Sequence, residues 1–388
     1  IHERLVGSEM CIRDRHKRLA DGGAFVTEDR GSSEALQDIE TLNNSLGLQH
    51  HQRLPYLYGA WKAKKEAFRW IAGTSRRQDE PREEGAPAEE GAPKNGLTEV
   101  AELLVKVLQH ILEVLRTKDL QRRGQGLPAR YWVIEDIDEF VQEFRVAASE
   151  LAKVPWATWD FTTMYESLEH QRLIEGCTEA SKEAWAFAEE TWARRQGILP
   201  SEVDLCLGRA GWRTTQEVAM AEGETWFTLG TLKETLTAVL KNLYMYNGGV
   251  LKRQVGGIPM GLGCAPQLAN LYGYSVESKW VDKGGDASVL RRRFIDDIIA
   301  AGVAALQPGV GIPSEEDYGM RYKLTSDNPT SLIYIGVRLF VDENNEAHTM
   351  LHDRAVDYPI RVDRYPEAST VANPAQLGGV IMGRLVAS

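Results

Sequence analysis

The sequence predicts an α+β fold, an antiparallel sheet with helices packed on one of its faces. Three observations predict it. Short β-branched and aromatic runs, such as VPWATWDFTTMY and SLIYIGVRLFVD, read as strands. Longer segments, such as LTEVAELLVKVLQHILEVL, carry apolar residues at helical spacing. The tight apolar stretch RRFIDDIIAAG reads as a hairpin, and the order of helices and strands suits a sheet covered on one side.

Composition bounds the rest. The 388 residues are 43% hydrophobic and 26% charged, within the ordinary soluble globular class and enough for one large domain or two to three subdomains. The sequence contains no apolar run of bilayer length and no basic start followed by an apolar stretch, so no membrane association or secretion is expected. The four cysteines, Cys11, Cys177, Cys206 and Cys264, are scattered and form no CxxC pair. They suggest neither a disulfide framework nor a zinc site, and fit a reducing, intracellular compartment. A net charge of −11 argues against a uniformly basic nucleic-acid-binding surface. Part of that charge is local to QDEPREEGAPAEEGAPKNG, although the remainder is still acidic.

Along the chain, residues 1–15 contain LVGSEMCIRDR, which resembles translated sequencing adapter and is set aside. Residues 16–77 are compact and, from Leu46, rich in aromatic and basic side chains. Residues 78–96 repeat EEGAP, lack aromatics and are expected to be a disordered acidic insertion. Residues 97–150 open on an amphipathic helix with Leu97, Val100, Leu103, Leu104, Val107, Leu108, Ile111 and Leu112 on its apolar face. From residue 151 the expected order is a strand to Tyr165, a helix over Glu169–Arg195, and a short strand in GETWFTL. A helix over TLKETLTAVLKNLYMY follows, then a strand and loop in GGVLKRQVGGIPMGLG. APQLANLYGYSVESKWV is a helix with Pro266 in its first turn, where a missing N–H costs nothing. The hairpin and further strands follow.

Three motifs carry chemistry. Asp296 and Asp297 sit at the tip of the apolar hairpin, where adjacent acids repel and suit a divalent cation; a solvated Asp-Asp turn is the plainer alternative. Asp160 ends a strand just before a helix, where an N-cap is the alternative. Gly256-Gly257-Ile258-Pro259-Met260-Gly261 is a loop whose glycines let backbone come close to a ligand, or an ordinary loop–helix junction.

Taken in order, the motifs resemble those of reverse transcriptases, most closely of the Penelope-like retroelements related to telomerase. DFTTMYESLEH is similar to their first palm motif, GGIPMGLGCAPQLANLYGY to their GIPMG segment and RRFIDDIIA to their RYIDD hairpin. RLPYLYGAWKAKKEAFRWIAG resembles their finger motifs, and YIGVRLFVD with LHDRAVDYPIRVDRYPEAST their downstream segments. The resemblance runs from about Leu54 to Arg384. It implies a right-hand polymerase fold with an antiparallel palm sheet backed by helices, partial fingers and a truncated thumb. Residues 16–77 would be fingers, 97–150 helical fingers or linker, 151–340 palm and 341–388 the start of the thumb.

The implied activity is RNA-directed DNA polymerisation on an RNA template with a nucleic-acid primer and dNTPs, in the nucleus for a retroelement. Asp160, Asp296 and Asp297, with the carbonyl of Phe161, would hold Mg²⁺ or Mn²⁺. Arg69 with Lys64 or Lys65 would clamp the triphosphate, although a solvated basic hairpin is the alternative. Pro259, Met260 and Gly261 would line the nucleotide pocket. Tyr165 would exclude the ribose 2′-hydroxyl, unless it is an aromatic of the core. Departures include Glu166 after the tyrosine, a lean finger motif at Ala63 and Ala67, and the acidic insertion. Rival readings are a catalytically silent or host-retained relative that binds RNA or acts as a terminal transferase, and an RNA-dependent RNA polymerase.

Overall fold

The structure, a computed structural model, describes residues 23–62, 67–73, 94–218, 224–247, 249–285, 290–326, 328 and 331–352. In chain order the strands are β1 (Phe25–Thr27), β2 (Tyr56–Lys62), β3 (Ala67–Gly73), β4 (Trp156–Phe161), β5 (Leu205–Gly208), β6 (Gly211–Thr214), β7 (Trp226–Phe227), β8 (Tyr244–Asn247), β9 (Val250–Gln254), β10 (Leu290–Phe294), β11 (Asp297–Ala301), β12 (Tyr322–Ser326), β13 (Ser331–Tyr334), β14 (Val337–Val341) and β15 (Ala347–Leu351). The longer helices are α1 (Ser32–Ser45), α2 (Thr98–Gly124), α3 (Ile137–Val146), α4 (His170–Gln196), α5 (Leu229–Lys241) and α6 (Ala265–Asp282). The fold is α+β with antiparallel sheets, as the sequence predicts.

The central sheet has the order β10-β11-β4-β12 and is antiparallel throughout. Strand alternation sorts its side chains. Ala157, Trp159, Phe161, Ile298 and Ala300 join the large core formed with α2, α4 and α6. Trp156, Leu290, Ile299 and Ala301 face the other way, into a second core with α3 and the β13-β14-β15 sheet. Edge-to-face pairs fix β4 to its surroundings, with ring centroids 4.8 Å apart for Phe161–Tyr318 and 5.4 Å apart for Trp159–Tyr322.

The helices behind the sheet follow from their apolar faces. Every residue expected on the inner face of α2, from Val100 to Leu112, is buried. α6 is buried nearly all round, including Leu268, Ala269, Leu271, Tyr272, Tyr274 and even Glu277, which makes it the central helix. Pro266 lies in its first turn.

Some elements differ from expectation. The helix through TLKETLTAVLK stops at Lys241, and Tyr244–Asn247 turns into β8, paired antiparallel with β9. SLIYIGVRLFV is a hairpin of β13 and β14 in place of one strand, and β15 completes its sheet. The boundary expected between residues 340 and 341 therefore falls inside β14. The short strand expected in GETWFTL is β7, paired with β5, while β5, β6 and helix α1 are additional to the expected elements. Residues 1–15, residues 78–93 of the insertion expected over 78–96, and the segment after His352 lie outside the described residues. Asn95 and Gly96, expected to belong to that disordered insertion, are instead buried, and the Gly96 N–H donates to the Arg53 carbonyl at 2.8 Å.

Candidate active site

Asp160 and Asp297 are direct cross-strand neighbours on β4 and β11. The next pair outward is hydrogen-bonded, with the Phe161 N–H donating to the Asp296 carbonyl at 3.0 Å. Pairs alternate in an antiparallel ladder, so Asp160 and Asp297 occupy a non-hydrogen-bonded position, where Cα atoms lie about 4.5 Å apart and side chains come closest. Both are half-buried and point to the face opposite α2, α4 and α6, the face that α3 covers further along. The second core fills that face further along the strands, with Trp156 and Ile299 beneath, and the carboxylates emerge where this cover ends.

Asp296 occupies the second position of the two-residue turn between Phe294 and Asp297. The first position, Ile295, has φ 54°. Two-residue hairpins usually place Gly, Asn or Asp at positive φ, and a β-branched residue there costs about 1–3 kcal/mol. The backbone of Asp297 is fixed from below: the buried Tyr334 hydroxyl donates to its carbonyl at 3.0 Å. Burial pushes the Tyr334 phenol well above its ordinary pKa, so it remains a donor.

The Gly256–Gly261 loop packs against this edge. Ile258 N–H donates to the Tyr165 carbonyl at 3.1 Å, Gly257 N–H to the Leu168 carbonyl at 2.7 Å, and Ala72 N–H on β3 to the Met260 carbonyl at 2.7 Å. The glycines serve these contacts. A Cβ at Gly257 would lie 2.3 Å from the Tyr165 carbonyl oxygen, and one at Gly261 2.1 Å from that of Ala72. The close approach read from the sequence is thus made to the protein's own backbone. Through it, Pro259, Met260 and Gly261 join β3 to the one-turn helix Met164–Ser167 that bears Tyr165. Tyr165 is half-buried and packs against the large core. His170 shares the loop, its Nε2 standing 2.8 Å from the Gly257 carbonyl; burial lowers its pKa, and the neutral ring donates this bond.

Arg69 lies on β3 opposite Ala60, in the hairpin expected of the fingers. Lys64 and Lys65 lie outside the described residues. Sequence reasoning missed Lys323, which stands directly across from Asp160 on β12 and is exposed. The order Asp297, Asp160, Lys323 makes one row of charge across three strands. The alternation of YKLTS, with Tyr322 buried in the core, was the available signal.

The donor chemistry of Asp160, Asp296 and Asp297 fits a hard divalent cation, which takes oxygen ligands. Their grouping is set by strand register. Among the described residues, the one trio of potential metal ligands with ligand atoms within 4.8 Å of one another is Asp342, Glu346 and His348, on the β14–β15 hairpin. The three aspartates are spaced more widely than that. No helix among the described residues is long and apolar enough to cross a membrane.

No family model matches the sequence, and no curated protein matches it. Among solved structures it is similar to a Candida tropicalis telomerase in complex with a TWJ fragment of telomeric RNA. The two are 13% identical, with 85% of this chain and 48% of that one covered and a TM-score of 0.49. A Candida albicans telomerase with the same kind of RNA fragment is 11% identical over 76% of this chain and 46% of that one, with a TM-score of 0.42. The Sicinivirus 3Dpol RNA-dependent RNA polymerase is 11% identical over 86% and 60%, with a TM-score of 0.38. The chain spans less than half of each of these telomerase chains.

Proposed function

We propose that this chain carries the palm and part of the fingers of a reverse transcriptase of the Penelope-like, telomerase-related kind. In this reading it is an RNA-directed DNA polymerase that extends a primer 3′ end along an RNA template with dNTPs. The observation that carries the proposal is the register that sets Asp160 against Asp297, with Asp296 in the adjoining turn. Asp160, Asp296, Asp297 and the Phe161 carbonyl would hold Mg²⁺ or Mn²⁺. Divalent cations bound by such carboxylates supply charge for the attacking 3′ oxygen and the leaving pyrophosphate.

The other residues bind and orient. Arg69, with Lys64 or Lys65, would clamp the triphosphate as guanidinium and ammonium donors. Pro259, Met260 and Gly261 form the floor of the nucleotide site, with the Met260 carbonyl bonded to β3 and the preceding Ile258 N–H to the Tyr165 carbonyl. The Tyr165 ring excludes a ribose 2′-hydroxyl. Lys323 offers a positive charge beside Asp160. Residues 16–77 and 97–150 serve as fingers and the segment from 151 as palm, with an intracellular site of action, nuclear for a mobile element.

The test is primer extension on RNA and DNA templates with Mg²⁺ or Mn²⁺ and either dNTPs or NTPs. The reading predicts RNA-templated incorporation of dNTPs that Asp160→Asn abolishes. Extension that survives Asp160→Asn, or none by the folded wild type under any combination, would overturn it. In the same assay Tyr165→Ala should raise ribonucleotide use relative to deoxynucleotide by roughly ten- to a few-hundred-fold. An unchanged ratio in a well-folded variant removes the gate role alone.

A further inference from the structure

The Ile295-Asp296 turn is strained by its sequence, and beneath it lies an ion pair with no contact with solvent: Arg293 on β10 and Glu277 on α6 are both 0% exposed. Arg293 Nε donates to Glu277 Oε1 at 2.5 Å. Its Nη1 donates to Asn270 Oδ1 at 3.0 Å and to the Ile295 carbonyl at 3.1 Å, and its Nη2 to the Asn270 carbonyl at 3.1 Å. The Tyr318 hydroxyl donates to Glu277 Oε1 at 3.2 Å. Gly273 leaves the room for this, since a Cβ there would lie 2.2 Å from Arg293 Nη2.

A buried ion pair is weak support for stability, because desolvating two charges costs several kcal/mol and apolar replacements are often neutral or stabilising. The bonds of Arg293 instead converge on one place. The guanidinium ties the carbonyl of the positive-φ residue Ile295 to two positions of the central helix. Arg293 pairs with Ile298 and so lies on the helix side of the sheet, opposite the face that bears Asp160 and Asp297. It cannot touch a nucleotide or a cation on that face. It can set the height and tilt of the turn that carries Asp296.

We propose that Arg293, neutralised by Glu277, is a positioning residue that holds the Ile295-Asp296 turn in the geometry needed to bind cation beside Asp160. The proposal rests on the polymerase reading. Outer partners that orient metal ligands typically change metal affinity by about 10–100-fold. A displacement of about 1 Å at a reacting group costs on the order of 10²-fold in rate.

The experiment measures Mn²⁺ binding by electron paramagnetic resonance and single-nucleotide incorporation by steady-state kinetics. The proteins are the wild type, Asp160→Asn, Arg293→Lys and the double variant Arg293→Met/Glu277→Met. The double variant removes both charges together, so it leaves no orphaned ion, and its melting temperature reports its folding. Lysine keeps the charge but cannot reach Glu277, Asn270 and the Ile295 carbonyl at once. With melting temperature close to wild type, both Arg293 variants should bind Mn²⁺ about 10–100-fold more weakly. Their kcat should fall while KM for dNTP holds. A folded double variant with wild-type Mn²⁺ affinity and kcat would overturn the proposal, as would losses that only track the unfolded fraction. If the wild type itself shows no Asp160-dependent Mn²⁺ binding, the polymerase reading fails first and this proposal with it.

Discussion

Two hairpins of this protein solve the same turn in different ways. The β10–β11 and β13–β14 hairpins both close through two residues and both start the turn with isoleucine at positive φ, 54° for Ile295 and 43° for Ile335. After Ile335 comes Gly336 at φ 88°, which supplies the second positive φ of a type I′ turn and matches the twist of the strands. After Ile295 comes Asp296. The first hairpin has a carboxylate where the second has glycine, and a buried arginine grips the Ile295 carbonyl from below. The second hairpin rests on local turn chemistry. The isoleucine strain is common to both turns, so what sets the first apart is the carboxylate it presents and the buried support beneath it.

The largest expected effect comes from making the first turn resemble the second. Asp296→Gly should leave the melting temperature unchanged or raise it, while primer extension falls by about three orders of magnitude, the loss of several kcal/mol of charge stabilisation. Retained extension would break the comparison, because Asp296 would then be only a turn residue. The reverse change is smaller. A Cβ at Gly336 meets open space, so Gly336→Ala carries only backbone strain, about 1–2 kcal/mol of stability by thermal unfolding. Extension per folded molecule should not change, and a loss of activity without a loss of stability would show that the second hairpin also serves the site.

The smallest effect is a pH dependence at the loop between β3 and Tyr165. Burial lowers the folded-state pKa of His170 below its unfolded value of about 6.5. Above that value the ring is neutral in both states and nothing is lost. As pH falls from there through the folded pKa, the unfolded chain takes up the proton first, and stability declines. Replacement by asparagine should flatten that part of the stability profile. A wild-type profile already flat below pH 6.5 would contradict the buried, neutral assignment.

The central sheet was legible because its signals are local. The WATWDF run, the Asp-Asp hairpin and the apolar face of α2 each state their conformation within a few residues, and their order placed the three aspartates. Register then did the rest, since a strand pair either aligns Asp160 with Asp297 or sends one of them into the core. What stayed hidden depends on distant partners. Tyr244–Asn247 follows a helical pattern in sequence and becomes a strand because it pairs with Val250–Gln254. Gly257 and Gly261 looked like ligand-facing glycines, but their neighbours are carbonyls far away in sequence. Arg293 sits in a run of three arginines, and its counter-charge lies on another element. An arginine is rarely fully buried unless paired, and the pairing is visible only in three dimensions.

The central claim is that chemistry belongs to the Asp160–Asp297 pair and its turn. The Asp342–Glu346–His348 trio, more tightly grouped, is the natural control. Incorporation of a single dNMP on an RNA-templated primer, measured for the wild type, Asp160→Asn and Asp342→Asn, tests it most directly. The account predicts wild-type incorporation by Asp342→Asn and none by Asp160→Asn, with all three proteins folded. Incorporation that survives Asp160→Asn and disappears with Asp342→Asn would contradict it.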